Sequence, residues 1–178
     1  MYIDIPEDVE NIIKELENAG YEAYIVGGCV RDSIMGINPK DWDITTSALP
    51  QDIKRVFKRT IDTGIKHGTV SVLINKSTYE ITTYRIDGEY GDGRHPNSVE
   101  FSTSLEEDLK RRDFTINSMA YSHKDGLIDL FGGIKDIKAK RINCVGKAME
   151  RFDEDALRML RAFRFSSKLG FEIEDSTL

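Results

Sequence analysis

Val9, Ile12, Ile13 and Leu16 fall at i, i+3, i+4 and i+7 with Gly20 behind them, a rhythm that predicts an amphipathic helix ended by glycine. The rhythm then changes. Residues 23–26 read as a short strand, Gly27-Gly28 as a turn, 30–35 as a short helix, 41–45 as a second strand and 50–57 as another helix. Residues 69–74 and 79–84 are rich in β-branched and aromatic side chains on either side of Asn75-Lys76-Ser77, which predicts a hairpin. From 86 to 98 come glycines, a proline and several charges, a composition that reads as a loop. Ser104 followed three residues later by Glu107 predicts a capping box at a helix start. Short strands at 127–130 and 141–145 flank a helix near 134–138. Residues 153–168 read as one helix, with Leu157, Leu160 and Phe163 three apart and Gly170 as stop. The expected fold class is mixed α/β: a small mixed sheet flanked by helices over residues 1–148, then the start of a helical region, 149–178, that the chain end cuts short.

Composition narrows the function classes. At 178 residues, 39% apolar and 31% charged, the chain has the balance of one globular domain with an appended element. No apolar run approaches a membrane span, and the first twenty residues lack the order of a secretory signal, so a cytoplasmic location is expected. Cys29 and Cys144 match no metal-ligand spacing and are expected as reduced thiols, while His67, His95 and His123 form no cluster. Any metal must then be held by oxygen. A net charge of −6 argues against a free-standing nucleic-acid binder, because such affinity comes largely from Lys and Arg neutralising phosphates. Basic residues are still dense around Lys54, Arg55, Lys58, Arg59 and Lys66, and again from Lys135 to Lys168, where solvated helix faces are the alternative reading.

Asp41-Trp42-Asp43 is the first candidate site. On a strand, residues i and i+2 share a face, so the two carboxylates would meet and repel unless a cation lay between them. Mg²⁺ takes oxygen ligands and works with substrate phosphates, although such Asp pairs also occur on ordinary surfaces. Glu80, in the strand Tyr79-Glu80-Ile81, could add a third carboxylate or simply face solvent. Gly27-Gly28 lies at a strand-to-helix junction where backbone can approach a phosphate, with Arg31 to add charge-assisted bonds. Its spacing matches neither a P-loop nor a dinucleotide-binding fingerprint.

In order along the chain stand Gly27-Gly28-x-Val30-Arg31-Asp32, Asp41-Trp42-Asp43, Arg111-Arg112-Asp113-Phe114-Thr115-Ile116-Asn117, Asp129-Leu130-Phe131-Gly132-Gly133 and Glu154-Asp155-x-x-Arg158-x-x-Arg161. This series, spanning roughly residues 24–165, resembles the bacterial-type (class II) tRNA nucleotidyltransferase and poly(A) polymerase family, represented here by its head and the start of its neck. The resemblance implies that Asp41 and Asp43 hold catalytic Mg²⁺, with Glu80 assisting. It implies phosphate contacts from Gly28 and Arg31, and a ribose or phosphate contact from Arg112. Asp113 and Asn117 would shape that pocket or cap a helix. Asp129, Phe131, Gly132 and Gly133 would link head to neck, and Arg161 and Arg164 would contact the nucleotide or remain solvated helix charges. Asp155 and Arg158, at i and i+3 on the expected 153–168 helix, would share a face and read the edge of the base.

The implied reaction is attack by an RNA 3′-hydroxyl on the α-phosphorus of CTP or ATP, with pyrophosphate leaving in line. The implied partners are CTP, ATP and the tRNA 3′ end, docked mainly through regions beyond this chain. The stretch Asp87-Gly88-Glu89-Tyr90-Gly91-Asp92-Gly93-Arg94-His95-Pro96 resembles the flexible loop of CCA-adding members, which favours CCA addition over a poly(A) polymerase or a CC-only or A-only enzyme. A non-catalytic nucleotide-binding fragment is the alternative from another class.

Overall fold

The structure, a computed structural model, describes residues 1–88 and 98–177. Helix α1 (Glu7–Asn18) carries the expected apolar stripe and buries Val9, Ile12, Ile13 and Leu16. Strand β1 (Ala23–Val26) follows, then α2 (Gly28–Ile34), β2 (Ile44–Thr46) and α3 (Pro50–Val56), with Pro50 at the first helical turn where its missing N–H costs nothing. Next come β3 (Thr60–Gly64) and the hairpin β4 (Thr69–Ile74) and β5 (Ser77–Thr83). The hairpin turn is two residues rather than three. Asn75 and Lys76 take φ of 49° and 69°, and Ser77 already pairs with Ile74.

Strands β6 (Arg85–Asp87) and β7 (Val99–Phe101) pair antiparallel, so the ends of the expected loop are extended and bonded. Residues 89–97 lie outside the described residues, and with them most of the loop likened to CCA-adding members. Helix α4 (Leu105–Lys110) opens as expected, the Ser104 hydroxyl accepting from the Glu107 N–H. After a 3₁₀ turn at Thr115–Asn117 come β8 (Met119–Ser122), β9 (Gly126–Asp129), α5 (Gly133–Ala139), β10 (Arg141–Ile142), α6 (Ala148–Glu154), α7 (Leu157–Leu169) and β11 (Glu172–Ile173).

One seven-stranded sheet runs in the order β3-β4-β5-β2-β1-β8-β9. Only β2 and β5 pair in parallel, which makes the sheet mixed, as expected. Strand β1 is central and wholly buried, and its alternate residues serve two cores. Ala23 and Ile25 join α1, α3 and the hairpin, whereas Tyr24 and Val26 face Leu109 of α4 and Tyr84. A third cluster joins Phe114 and Ile116 to Ile142, Ala148, Ala162 and Phe171, so the C-terminal helices pack directly on the turn after α4.

Two expectations need correction. The second strand begins at Ile44, so Asp41, Trp42 and Asp43 precede it instead of lying within it. The 153–168 stretch is two helices broken at Asp155-Ala156, because Asp155 leaves α6 with φ of −145° and its Oδ1 accepts from the Leu157 N–H at 2.9 Å. A carboxylate that caps the next helix cannot also continue the previous one.

Candidate active site

The chain must reverse between β1 and α2, and Gly27 makes the reversal with φ of 79°. A Cβ there would stand 3.2 Å from Arg112 Nη1, so glycine also lets that guanidinium close on the backbone. The Val26 N–H donates to the Asp43 carbonyl at 3.0 Å, which fixes the segment bearing Asp41 and Asp43 beside this corner. Continuing the parallel register of Ile44 with Ile81 by one residue sets Asp43 next to Glu80.

Gly27, Gly28 and Arg31 from this corner line a cleft of about 520 Å³ together with Arg112, Asp113 and Asn117 from the segment after α4. Asp155, Arg158, Arg161 and Phe165 close it from the C-terminal helices, and Asp43 borders it. Arg31, only 4% exposed, donates to Asp32 Oδ1 and, from Nη1, to Asn117 Oδ1 at 2.5 Å. Asn117 Nδ2 donates to Asp113 Oδ1 at 3.2 Å, and Asp113 Oδ2 accepts from Arg161 Nε at 2.7 Å. This run of charge-assisted bonds ties α2 to α7 across one wall of the cleft. Arg31 and Arg161 also lie 5.1 and 5.3 Å from the centroid of the Phe165 ring.

Asp108 organises another wall. Its carboxylate, fully buried, accepts from Arg111 Nε at 3.0 Å, from Arg112 Nη2 at 3.1 Å and from the Thr45 hydroxyl at 3.0 Å. It thereby joins two adjacent arginines to the strand that follows Asp43. Arg112 lines the cleft, and its Nε is buried with no hydrogen-bond partner among the described residues. Burial acts to raise the Asp108 pKa, but Arg112 and Arg111 outweigh it and hold the group below its ordinary value of 3.8. A depressed carboxylate stabilises the fold above its unfolded pKa of about 4 and loses that contribution as pH falls toward its folded value. Asp108→Ala leaves the arginines uncompensated and should cost about 3–5 kcal/mol at pH 7. Denaturant titrations at pH 7 and pH 3 check this; the gap between variant and parent should shrink at the lower pH.

A second cleft, of about 650 Å³, is lined by Lys40, Asp41, Trp42 and Asp43 on one side and by Ser77, Thr78, Tyr79 and Glu80 on the other. Asp43 belongs to both clefts. Solvent reaches it, yet surrounding protein raises its pKa; the Asp41 charge adds to that effect and Arg112 opposes it. Asp41, Asp43 and Glu80 thus border one cavity, but among the described residues no three such side chains close into a metal cage. An all-oxygen set of two neighbouring carboxylates fits Mg²⁺, which is held by one or two carboxylates and completes its shell with water and substrate phosphates.

A family model described as the poly A polymerase head domain matches residues 23–143. The chain belongs to the poly A polymerase head domain family. Among its relatives, the CCA-adding enzyme of Latilactobacillus sakei subsp. sakei (strain 23K) is 57% identical over 166 residues, covering 93% of this chain and 42% of that protein. That of Limosilactobacillus fermentum is 54% identical over 172 residues, 97% of this chain and 43% of that protein. The crystal structure of Bacillus stearothermophilus CCA-adding enzyme in complex with CTP superposes with a TM-score of 0.87 at 49% identity, covering 94% of this chain and 40% of that one. Thermotoga maritima CCA-adding enzyme complexed with tRNA gives 0.77 at 29% identity, covering 97% and 41%. The chain therefore spans about two fifths of the length of the relatives it matches.

Within this poly A polymerase head, the residues expected from sequence divide into three groups. Gly28, Arg31, Arg112, Asp155, Arg158 and Arg161 meet in the first cleft, and Asp41, Asp43 and Glu80 border the second. Arg164 is exposed and is not among the residues lining either cleft. Asp155 and Arg158 share a cleft but do not share a helix, since Asp155 lies between α6 and α7; the buried Arg158 pairs instead with Glu154 Oε2 at 2.6 Å. The Asp129 segment seats α5, whose Ile137 packs against both the main core and the cluster of the C-terminal helices. The Asp129 carboxylate accepts from the N–H groups of Gly133 and Ile134, and a Cβ on Gly133 would stand 2.5 Å from the Thr115 carbonyl, so these residues seat α5 against the 3₁₀ turn. Asp108 and Phe165 were missed. A carboxylate three and four residues ahead of Arg111-Arg112 was the available sign for Asp108. Burial raises the Cys29 thiol to about 11, in keeping with an unreactive reduced cysteine.

Proposed function

We propose that this head domain transfers nucleoside monophosphates from CTP and ATP to the 3′ end of tRNA, releasing pyrophosphate. The observation that carries the reading is the meeting of two cavities at Asp43, one lined by five arginines, of which Arg31 and Arg158 are buried, and one lined by carboxylates. In this reading Gly28, Arg31 and Arg112 bind the triphosphate and ribose, with Arg161 braced by Asp113 behind them. Asp155 and Arg158 face the base. Asp41 and Asp43 hold Mg²⁺, Glu80 assisting. The metal would lower the pKa of the attacking hydroxyl and offset charge on the leaving oxygens. No nucleophilic side chain is required.

CCA addition is favoured over poly(A) synthesis because relatives named CCA-adding enzymes reach 57% identity. We place the boundary between head and neck at residue 148, the C-terminal helices forming the side of the first cleft that faces the base. With a net charge of −6, tRNA docks largely through surfaces beyond these residues. No helix among the described residues is long and apolar enough to cross a membrane, and we place the reaction in the cytoplasm.

The test supplies each labelled nucleotide separately with tRNA lacking its 3′ CCA and with an unrelated RNA. Ordered addition of C and A to the tRNA alone is expected. Long A tails on the unrelated RNA would move the reading to a poly(A) polymerase. Nucleotide binding without transfer, with Asp41 and Asp43 intact, would leave a binding module.

A further inference from the structure

Helix α4 turns a charge toward the sheet. Asp108 stands beside Leu109 on the side that meets β1 and β2, where Tyr24 and Thr45 are register partners and both point toward α4. No other charged side chain among the described residues is so completely covered. An apolar side chain would anchor the helix there at a smaller desolvation cost, since taking a carboxylate out of water is offset only by close, well-aligned partners. What the carboxylate adds is direction. Its two oxygens divide the work: Oδ1 accepts from Arg111 Nε at 3.0 Å and lies 2.9 Å from Nη2, whereas Oδ2 accepts from Arg112 Nη2 at 3.1 Å and from the Thr45 hydroxyl at 3.0 Å.

We propose that Asp108 is a positioning residue for the transfer, setting the distance between Arg112 and the carboxylates of Asp41 and Asp43; the assignment rests on the transfer reading above, in which Arg112 binds the nucleotide. Arg112 follows the end of α4, while Asp43 precedes β2, so nothing in the chain's local path fixes one against the other. Asp108 supplies the link. The Thr45 hydroxyl, two residues beyond Asp43, and Arg112 Nη2 meet on one carboxylate oxygen, so a shift of β2 is passed to the guanidinium. The other side of that guanidinium packs on the turn after β1, where a Cβ on Gly27 would stand 3.2 Å from Nη1. A long and flexible side chain is thereby held at both nitrogens beside Gly28 and Arg31 in the first cleft. In-line transfer needs this precision, because a misplacement of about 1 Å can slow a reaction about 10²-fold. Asp108 itself touches neither cleft, and its effect reaches the nucleotide through Arg112 alone.

Equilibrium binding of labelled CTP and single-turnover transfer to tRNA lacking its 3′ CCA are measured on the whole protein. Asp108→Asn keeps one acceptor but turns an amide donor toward a guanidinium, so one arginine loses its hold. The variant should weaken CTP binding about 10-fold in the parent and less than about 2-fold where Arg112 is already alanine, because its effect runs through Arg112. A carboxylate that only supports the fold would weaken binding by the same factor in both backgrounds. Thr45→Val removes the hydroxyl with little change of shape. It should slow transfer about 10-fold with the CTP Kd within about 2-fold of the parent, and Thr45→Ser should restore the rate. Equal losses in the two Arg112 backgrounds, or a Thr45→Val protein that transfers at the parent's rate, overturn the positioning role and spare the transfer reading. If Asp108→Asn fails to fold, the Thr45 pair decides alone. A parent that binds CTP but transfers nothing overturns the transfer reading, and the comparison of the two Arg112 backgrounds then decides whether Asp108 positions Arg112 for the nucleotide.

Discussion

Asp43→Ala is expected to lower nucleotidyl transfer by about 10³-fold or more, the scale of loss when a group that stabilises charge developing in the transition state is removed. Its melting temperature should stay within about 2 °C of the parent, because an exposed carboxylate outside any strand contributes little to packing. Asp43 sits where both clefts meet, between the repulsion of Asp41 and the attraction of Arg112, so deleting it relieves one unfavourable contact and loses one favourable contact. Asp41→Ala should follow it in activity and stability. Glu80→Ala should reduce the rate less, since Glu80 approaches from β5 and does not close a cage with the other two. Single-turnover transfer with labelled CTP, read beside thermal melts, separates the two effects. Unchanged turnover in the Asp41 and Asp43 variants would remove both from the site.

Much of this arrangement was legible because its signals were local. The α1 stripe, the Ser104 cap and the Asn75-Lys76 turn each depend on residues a few positions apart, and each is present. Strand β3 escaped because it lies at the sheet edge with mostly exposed residues and shows no alternation. Strand β8 escaped for the opposite reason. All four of its residues are buried between β1 and β9, so no polar face marks the period. The site was legible as an ordered list of motifs, but its connections were not: Arg31 meets Asn117 across 86 residues and Arg161 meets Asp113 across 48. Distances of that kind come from the order of strands in the sheet, which no local pattern encodes. Helical periodicity also misled at 153–168. The spacing of Leu157, Leu160 and Phe163 belongs to α7 alone, and all three are exposed.

The break at Asp155 changes what an experiment on base selection can show. Exchanging the charges of Asp155 and Arg158 would place a carboxylate at position 158, where Arg158, 7% exposed, now donates to the carbonyl oxygens of Arg151 and Arg111 and to Glu154. Three acceptors would face a fourth. Arg158→Asp is therefore expected to destabilise the protein by about 3–5 kcal/mol, lowering the melting temperature by roughly 6–20 °C, and its altered activity would say little about bases. Asp155→Asn is the cleaner probe. The Leu157 N–H needs an acceptor, so the Asn Oδ1 keeps the cap and its Nδ2 is turned toward the cleft. An acceptor becomes a donor at one point with the fold intact. Cytosine and adenine present an amino donor there, whereas uracil and guanine present a carbonyl, so the variant should lose about 5- to 150-fold in kcat/KM for CTP and ATP and gain relative use of UTP and GTP. Arg158 still donates at the neighbouring position, which keeps the reversal incomplete. If Asp155→Asn melts with the parent and retains its preference for CTP and ATP, Asp155 is a helix cap and base selection lies elsewhere in the cleft.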